Sequence, residues 1–234
     1  VAYTSAMPQL LDRHQELVCL QAGALLALGR LDAAQAVIAA GNRRFPNRPP
    51  VLVLAGTIAM LLGDGAAAEA HLRQALALAP GDYDATVGLA AALAERGEAG
   101  PARPLLTQAA GAAPERFEAP LLLAALAFAG GDQAALEHWT RAGLGAAPWH
   151  PVLLFFLGCL AAGAGNGDAA EAVFGASVAL NPLQQASQFA LARVLLERRE
   201  FARAGVHLRN AVRIAPKTAQ GKAAAMLLQR LAVA

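Results

Sequence analysis

The chain has 234 residues, of which 56% are hydrophobic and only 15% are charged. This composition excludes an intrinsically disordered chain, which needs low hydrophobicity and a high net charge. Aromatic residues make up 5%, so the apolar content is mainly alanine and leucine, and these strong helix formers predict an all-α fold. The net charge of +2 is uneven, because residues 193–234 carry nine cations against two acids and residues 1–192 carry ten arginines against fifteen acids.

The apolar segments are too short for membrane spans, which need about 20 consecutive apolar residues. The longest are 51–62, 121–129 and 152–162, and glycine or proline bounds each of them. These lengths favour buried helices of a soluble protein. No basic segment followed by an apolar one stands near Val1, so no signal peptide is predicted.

Prolines recur along the chain at one constant interval, which indicates an internal repeat. These repeat prolines are Pro46, Pro80, Pro114, Pro148, Pro182 and Pro216. A glycine stands half an interval before each of the first five of them. The glycines are Gly29, Gly63, Gly97, Gly131 and Gly165, and Arg199 takes the sixth place.

Small residues keep the same interval in three further columns, and a bulky column lies between the last two. The first small column is Ala22, Gly56, Ala90, Ala124, Gly158 and Ala192. The second is Ala34, Ala68, Ala102, Leu136, Ala170 and Ala204, and the third is Gly41, Ala75, Ala109, Gly143, Ser177 and Ala211. The bulky column is Ile38, Leu72, Leu106, Thr140, Phe174 and Leu208.

This pattern resembles the tetratricopeptide repeat family. With the repeat proline at position 32, the columns fall at 8, 15, 20, 24 and 27, where the family has small residues at 8, 20 and 27 and an apolar residue at 24. The repeats are 15–48, 49–82, 83–116, 117–150, 151–184 and 185–218. The family's large aromatics at positions 4 and 11 are missing, and the fourth repeat fits least well.

The resemblance implies an all-α, right-handed α-solenoid, or superhelix, of six helix-turn-helix units. Each unit has a helix A at about positions 1–14 and a helix B at about 17–30, joined by a turn at position 15 where glycine can take a positive φ. Small residues at 8 and 20 let the two helices approach closely, and the residue at 24 fills the space beside them. Pro101 and Pro104 fit helix B of the third repeat only if that helix begins there.

Two segments flank the repeats. Residues 219–234 are apolar on one face, and we expect them to form the C-terminal capping helix that a solenoid needs for solubility. Residues 1–14 are expected to be the end of a preceding helix or an N-terminal cap, with Leu10 and Leu11 packing inward.

No catalytic or metal-binding constellation emerges from the sequence, and we predict neither enzymatic activity, nor a metal, nor a cofactor. The histidines never stand in metal-ligand spacing. The glycine-rich segment 163–168 lacks the order of a phosphate loop and coincides with a turn between helices A and B. Trp149 lies in a short connection between prolines, where loop packing is the ordinary interpretation and an exposed aromatic anchor is the alternative.

A basic face is predicted on the last repeat. It comprises Arg198, Arg199, Arg203, Arg209 and Arg213. Such a face either attracts an anionic partner or is simply solvated. No aromatic platform accompanies these charges, which argues against nucleic acid. Arg199 must adopt a strained left-handed conformation if the last turn is built like the other five.

In the family, helix A lines the concave surface, and positions 2, 5, 9 and 12 point into it. The resemblance therefore implies a largely apolar partner-binding groove. Its candidate residues are Val53, Thr57, Met60, Val87, Leu121, Phe128, Phe155, Phe189 and Arg193. We expect Phe128, Phe155 and Phe189 to be partly exposed in the free chain. The polar clamp of the chaperone-binding members is missing from these positions.

The first functional hypothesis is a non-enzymatic scaffold or adaptor that binds a protein or peptide, either as an amphipathic helix or as an extended apolar segment. The arginine-rich, lysine-poor composition suggests a bacterium, and similar bacterial proteins serve envelope, secretion or polysaccharide-export assemblies in the cytoplasm or the periplasm. The alternative is the repeat region of a larger enzyme, such as a glycosyltransferase or a sulfotransferase. A third hypothesis is self-association through stacking of repeats.

Overall fold

A computed structural model describes the backbone of residues 3–233 and the side chains of residues 15–231. All regular secondary structure in this part of the chain is helical, which confirms the predicted all-α fold. The helices are α1 (Tyr3–Ala27), α2 (Leu31–Arg44), α3 (Pro49–Leu61), α4 (Gly65–Leu78), α5 (Tyr83–Glu95), α6 (Ala99–Ala112), α7 (Glu118–Gly130), α8 (Gln133–Ala146), α9 (Pro151–Gly163), α10 (Gly167–Leu180), α11 (Gln185–Glu197), α12 (Phe201–Ile214) and α13 (Ala219–Val233). No helix in the described range has the length and apolar content to cross a bilayer.

The helices alternate along the chain as the repeat predicts. The odd-numbered helices α1 to α11 occupy the helix A positions, and the even-numbered helices α2 to α12 occupy the helix B positions. Each repeat proline stands two residues beyond the last residue of a B helix. Proline cannot continue a helix, so these residues fix where each B helix ends.

The chain forms two compact units, Val1–Ala113 and Pro114–Ala234. In the first unit, Ala22, Ile38, Val51 and Ile58 belong to one buried cluster. The second unit contains the pockets of the candidate site.

The turns between A and B helices are all closed by the same pair of backbone hydrogen bonds. At the fifth turn, the N–H of Gly165 donates to the carbonyl of Ala162 at 3.0 Å, and the N–H of Asn166 donates to the carbonyl of Ala161 at 2.9 Å. Gly165 has a φ of +74°, the left-handed conformation that this helix-ending motif requires. The predicted role of glycine at position 15 is therefore confirmed.

Arg199 closes the sixth turn in the same way without being glycine. Its φ is +62°, and its N–H donates to the carbonyl of Leu196 at 3.0 Å. The N–H of Glu200 donates to the carbonyl of Leu195 at 2.9 Å. The repeat therefore holds Arg199 in a left-handed conformation that arginine disfavours. This confirms the predicted strained turn.

Close approach of the A and B helices depends on the small residue at position 8. A Cβ atom placed on Gly158 would lie 2.5 Å from Cε1 of Phe174, which stands at position 24 of the same repeat. A Cβ atom on Gly56 would likewise lie 2.6 Å from Cγ of Leu72. Each bulky residue therefore occupies the space that the missing side chain leaves, as the sequence pattern predicts.

The N-terminal segment is not separate from the first repeat. Residues 3–14 continue without a break into helix A of that repeat, so α1 is one helix of 25 residues. The predicted inward packing of Leu10 and Leu11 lies outside the described side chains.

The predicted start of α6 was wrong for one of its two prolines. The helix begins at Ala99, so Pro101 lies in its first turn but Pro104 lies in its interior. Pro104 leaves the carbonyl of Gly100 without its helical donor. Gly100 and Pro104 are both exposed, so water can satisfy that carbonyl.

Replacing Arg199 by glycine should stabilise the protein. Relief of the left-handed strain should raise the free energy of unfolding by about 1–2 kcal/mol. The greater freedom of glycine in the unfolded chain should lower it by about 0.5–1 kcal/mol. We therefore expect a net increase of about 0.5–1 kcal/mol. Urea denaturation followed by circular dichroism measures it. The matched control is Gly165→Arg at the preceding turn, where a Cβ atom would meet no neighbour within 4 Å and only the φ of +74° opposes the change. That variant should be less stable than the parent, and a stabilising effect there would contradict the explanation.

Candidate binding groove

The second unit contains two adjoining pockets on its A helices and α13. The first has a volume of about 380 Å³, and its lining includes Phe128, Cys159, Ala162, Ala190, Arg193 and Glu197. The second has a volume of about 470 Å³, and its lining includes Phe189, Arg193, Leu196, Glu197, Met226, Leu227 and Arg230. Arg193 and Glu197 line both pockets, so the two adjoin, and together we call them the A-face groove.

Three of the predicted groove residues come together there. Phe128 is 45% exposed, as predicted, and forms one wall of the first pocket. Phe189 is half-buried and lines the second pocket, and exposed Arg193 stands between them. Met226 and Leu227 were missed by the sequence reasoning, because they belong to α13 and therefore follow the last repeat.

The prediction that Phe155 is partly exposed was wrong, since the side chain is buried with only 8% of its surface accessible. Its ring lies 5.7 Å from that of Phe128, 5.6 Å from that of Phe156 and 6.0 Å from that of Phe174. Four aromatic rings therefore form a packed cluster in which Phe128 is the exposed member and Phe155 an interior one.

The remaining predicted groove residues do not line this depression. Val53, Thr57, Met60 and Val87 belong to the first unit. The hydroxyl of Thr57 donates to the carbonyl of Val53 at 3.0 Å, so its proton is already used within α3. Leu121 is half-buried against the core of the second unit.

The groove is lined mainly by apolar side chains, with a few charged ones among them. Burial raises the pKa of the Cys159 thiol to about 11, although the charge of Arg193 acts in the opposite direction. The Cys159 side chain is therefore a neutral thiol at physiological pH, and it lines the groove without being a reactive thiolate. Arg193, Glu197 and Arg230 supply the charges.

The predicted basic face is partly neutralised within the chain. Arg198 pairs with Asp168 and with Glu171, the latter at 3.2 Å, and Arg203 pairs with Glu171 at 2.7 Å and with Glu200. The pKa of Arg198 is raised mainly by its hydrogen bond to Asp168, and that of Arg203 mainly by its hydrogen bond to Glu200. These two arginines connect α12 and its preceding turn to α10.

The first unit has the same arrangement three repeats earlier. Arg96 pairs with Glu69 of the preceding repeat and with Glu98 of its own turn, the latter at 2.7 Å. Arg198, Glu171 and Glu200 occupy the equivalent positions. The recurrence of these residues at an interval of three repeats was a sequence signal for the pairing. The exposed arginines of the predicted face that lie outside this network are Arg199, Arg209 and Arg213.

Within residues 15–231, no group of three or more histidine, cysteine, aspartate or glutamate residues is arranged to hold a metal ion.

No protein-family model and no curated protein matches the chain, whereas many solved structures do. A chain of the APC/C hetero-tetramer Cut9–Hcn1 is similar over 96% of this chain, with a TM-score of 0.80 and 18% identity, and this chain spans 44% of its length. PilF of Pseudomonas aeruginosa is similar over 91% of this chain and 97% of its own, with a TM-score of 0.76 and 13% identity. PilW, a type IV pilus biogenesis factor, is similar over 89% of this chain and 97% of its own, with a TM-score of 0.72 and 16% identity.

These structures are helical-repeat proteins of the tetratricopeptide type. The likeness in fold confirms the predicted α-solenoid class. Because the sequence identities are only 18%, 13% and 16%, the comparison concerns the fold alone.

Phe128 and Phe155 were both predicted to line the groove, and they should respond differently to substitution by serine. Phe155→Ser removes an interior ring and should lower the free energy of unfolding by about 3–5 kcal/mol. Phe128→Ser removes a half-exposed ring and should cost about 1–2 kcal/mol. Thermal and urea denaturation of the two variants measure the difference. Equal losses would show that Phe128 is as deeply packed as Phe155.

Proposed function

We propose that this chain is a non-catalytic scaffold that binds a protein or peptide partner in the A-face groove. The observation that carries the proposal is the open, apolar depression formed by Phe128 of α7, Phe189 and Leu196 of α11, and Met226 of α13. A depression lined mainly by apolar side chains, with a few polar groups, is the usual form of a binding site. Each 100 Å² of this surface that a partner covers contributes about 2.5 kcal/mol before the costs of association.

The shape of the groove favours an apolar segment of a partner, either an amphipathic helix or an extended peptide. Its two pockets lie side by side and can accept successive apolar side chains, while Arg193 and Glu197 provide polar contacts between them. Repeat proteins use surfaces of this kind to hold partners along several repeats.

A finer proposal places the scaffold in a bacterial envelope, secretion or polysaccharide-export assembly. The arginine-rich composition supports a bacterial source. The likeness to PilF of Pseudomonas aeruginosa and to PilW, a pilus biogenesis factor, supports an assembly role of that class.

Site-specific photo-crosslinking in the native host tests the function. A photoreactive residue in place of Arg193 should capture a defined partner, whereas the same residue in place of Arg141, on the exposed side of α8, should not. We expect the double variant Phe128→Ser, Met226→Ser to reduce the captured partner about ten-fold or more, since it removes two apolar contacts from the groove.

The matched control is Phe201→Ser, Val206→Ser, which removes two exposed apolar side chains from α12. Val206 is 46% exposed, close to the 45% of Phe128, but lies outside the groove. The control should capture the partner as the parent does. Equal capture by the groove variant and the parent would overturn the proposal.

A further inference from the structure

Three connections between repeats in the second unit have the same β-turn. The N–H of His150 donates to the carbonyl of Ala147 at 3.1 Å, and the N–H of Gln184 donates to the carbonyl of Asn181 at 3.1 Å. The N–H of Thr218 donates to the carbonyl of Ala215 at 3.4 Å. In each turn the repeat proline is the second residue, a position for which its φ is suited.

The third residue of each turn stands at the tip. These residues are Trp149, Leu183 and Lys217, and we call them the turn-tip row. Trp149 is 72% exposed and Leu183 is 70% exposed. The expectation that Trp149 packs into its loop was therefore wrong, because the turn directs its side chain away from the helices.

The repeat places these residues side by side. They share position 33 of consecutive repeats, so the tips follow one edge of the unit, each separated from the next by one two-helix repeat, on the order of 10–20 Å. Leu180, the last residue of α10, is 48% exposed and stands three residues before Leu183, so it adds to the apolar part of the edge.

Cations adjoin the apolar tips. Lys217 is the last member of the row, exposed Arg213 lies in the last turn of α12, and exposed Arg209 lies one turn before it. Arg213 contacts only the amide oxygen of Asn210, at 3.4 Å, among the described side chains, and Arg209 lies outside the ion-pair network of Arg198 and Arg203. Two acids lie beyond Trp149 at the same edge: Glu115, which occupies the equivalent position, and Glu118, which pairs with Arg116 at 2.8 Å.

We propose that the turn-tip row docks this unit reversibly on the surface of an anionic lipid bilayer. Tryptophan is the side chain best suited to the boundary between headgroups and acyl chains. Leu183 enters the same boundary beside it, while Lys217, Arg213 and Arg209 attract anionic headgroups. Separate protruding tips lack the walls of a pocket, and a deformable bilayer can surround each of them. This docking is independent of the A-face groove.

Tryptophan fluorescence tests the proposal directly, because the chain has only two tryptophans. In a Trp139→Phe background, Trp149 is the only tryptophan, so the tryptophan emission comes from this residue alone. With vesicles of phosphatidylcholine and phosphatidylglycerol, its emission should shift to the blue by about 10 nm as the indole leaves water. Vesicles of phosphatidylcholine alone should produce little or no shift, because the cations then have no counter-charge.

Vesicle co-sedimentation of variants locates the contact. Trp149→Ala and Leu183→Ser should each reduce binding to the anionic vesicles about five-fold or more, and Lys217→Gln about two- to five-fold. Phe201→Ser removes another exposed apolar side chain of the same unit and should bind as the parent does, as should the groove variant Phe128→Ser, Met226→Ser. Circular dichroism of every variant establishes that it is folded.

An unshifted Trp149 emission with anionic vesicles would overturn the proposal, and the row would then fit a protein partner instead. Binding that Trp149→Ala and Leu183→Ser leave unchanged would overturn it as well. Neither result bears on the groove, whose partner is captured by crosslinking in a separate experiment.

Discussion

The fold depends on one steric constraint, the close approach of helix A and helix B within each repeat. A small residue at position 8 of the A helix leaves a space that a bulky residue at position 24 of the B helix fills. Gly158 and Phe174 show the tightest case, since a single Cβ atom would meet the ring at 2.5 Å. Where position 8 is alanine, as at Ala192, the partner is the smaller Leu208, and both are fully buried. In these two repeats the smaller residue at position 8 thus faces the larger one at position 24, whereas in the second repeat glycine, Gly56, faces a leucine, Leu72.

The second requirement is a left-handed conformation at the turn between the two helices. The repeat imposes it even on arginine, a residue that disfavours it. Five glycines adopt the left-handed conformation, and Arg199 adopts it at the sixth turn. The two hydrogen bonds that end each A helix are formed in every case. Local backbone strain at Arg199 is therefore balanced by the packing of the repeat around it.

Much of this architecture could be predicted from the sequence, because the constraints that impose it act at fixed positions. The constant spacing of the repeat prolines located the helices, the turn at Arg199 and the partnership of positions 8 and 24. The start of α6 was missed at Pro104, because an exposed helix tolerates one unpaired carbonyl that water can reach.

The candidate site was less predictable, because exposure depends on contacts between repeats. Position 5 is half-exposed at Phe189 and buried at Phe155, where neighbouring aromatic rings surround the side chain. The sequence likewise predicts Arg198 as part of an open basic face, but the side chain pairs with Asp168 and Glu171 of the preceding repeat. A repeat pattern specifies which positions face a neighbour, but the size and charge of that neighbour decide what remains accessible.

A double-mutant cycle at Gly158 and Phe174 tests the size matching of positions 8 and 24 most directly. Gly158→Ala should destabilise the protein by about 1–3 kcal/mol through overpacking, and Phe174→Leu should destabilise it by about 1 kcal/mol through lost contacts. The double variant recreates the alanine–leucine pair of Ala192 and Leu208. It should therefore be more stable than Gly158→Ala alone, with a coupling free energy of about 1 kcal/mol or more. Additive losses in urea denaturation would contradict the account, because they would show that the two positions do not compete for the same space.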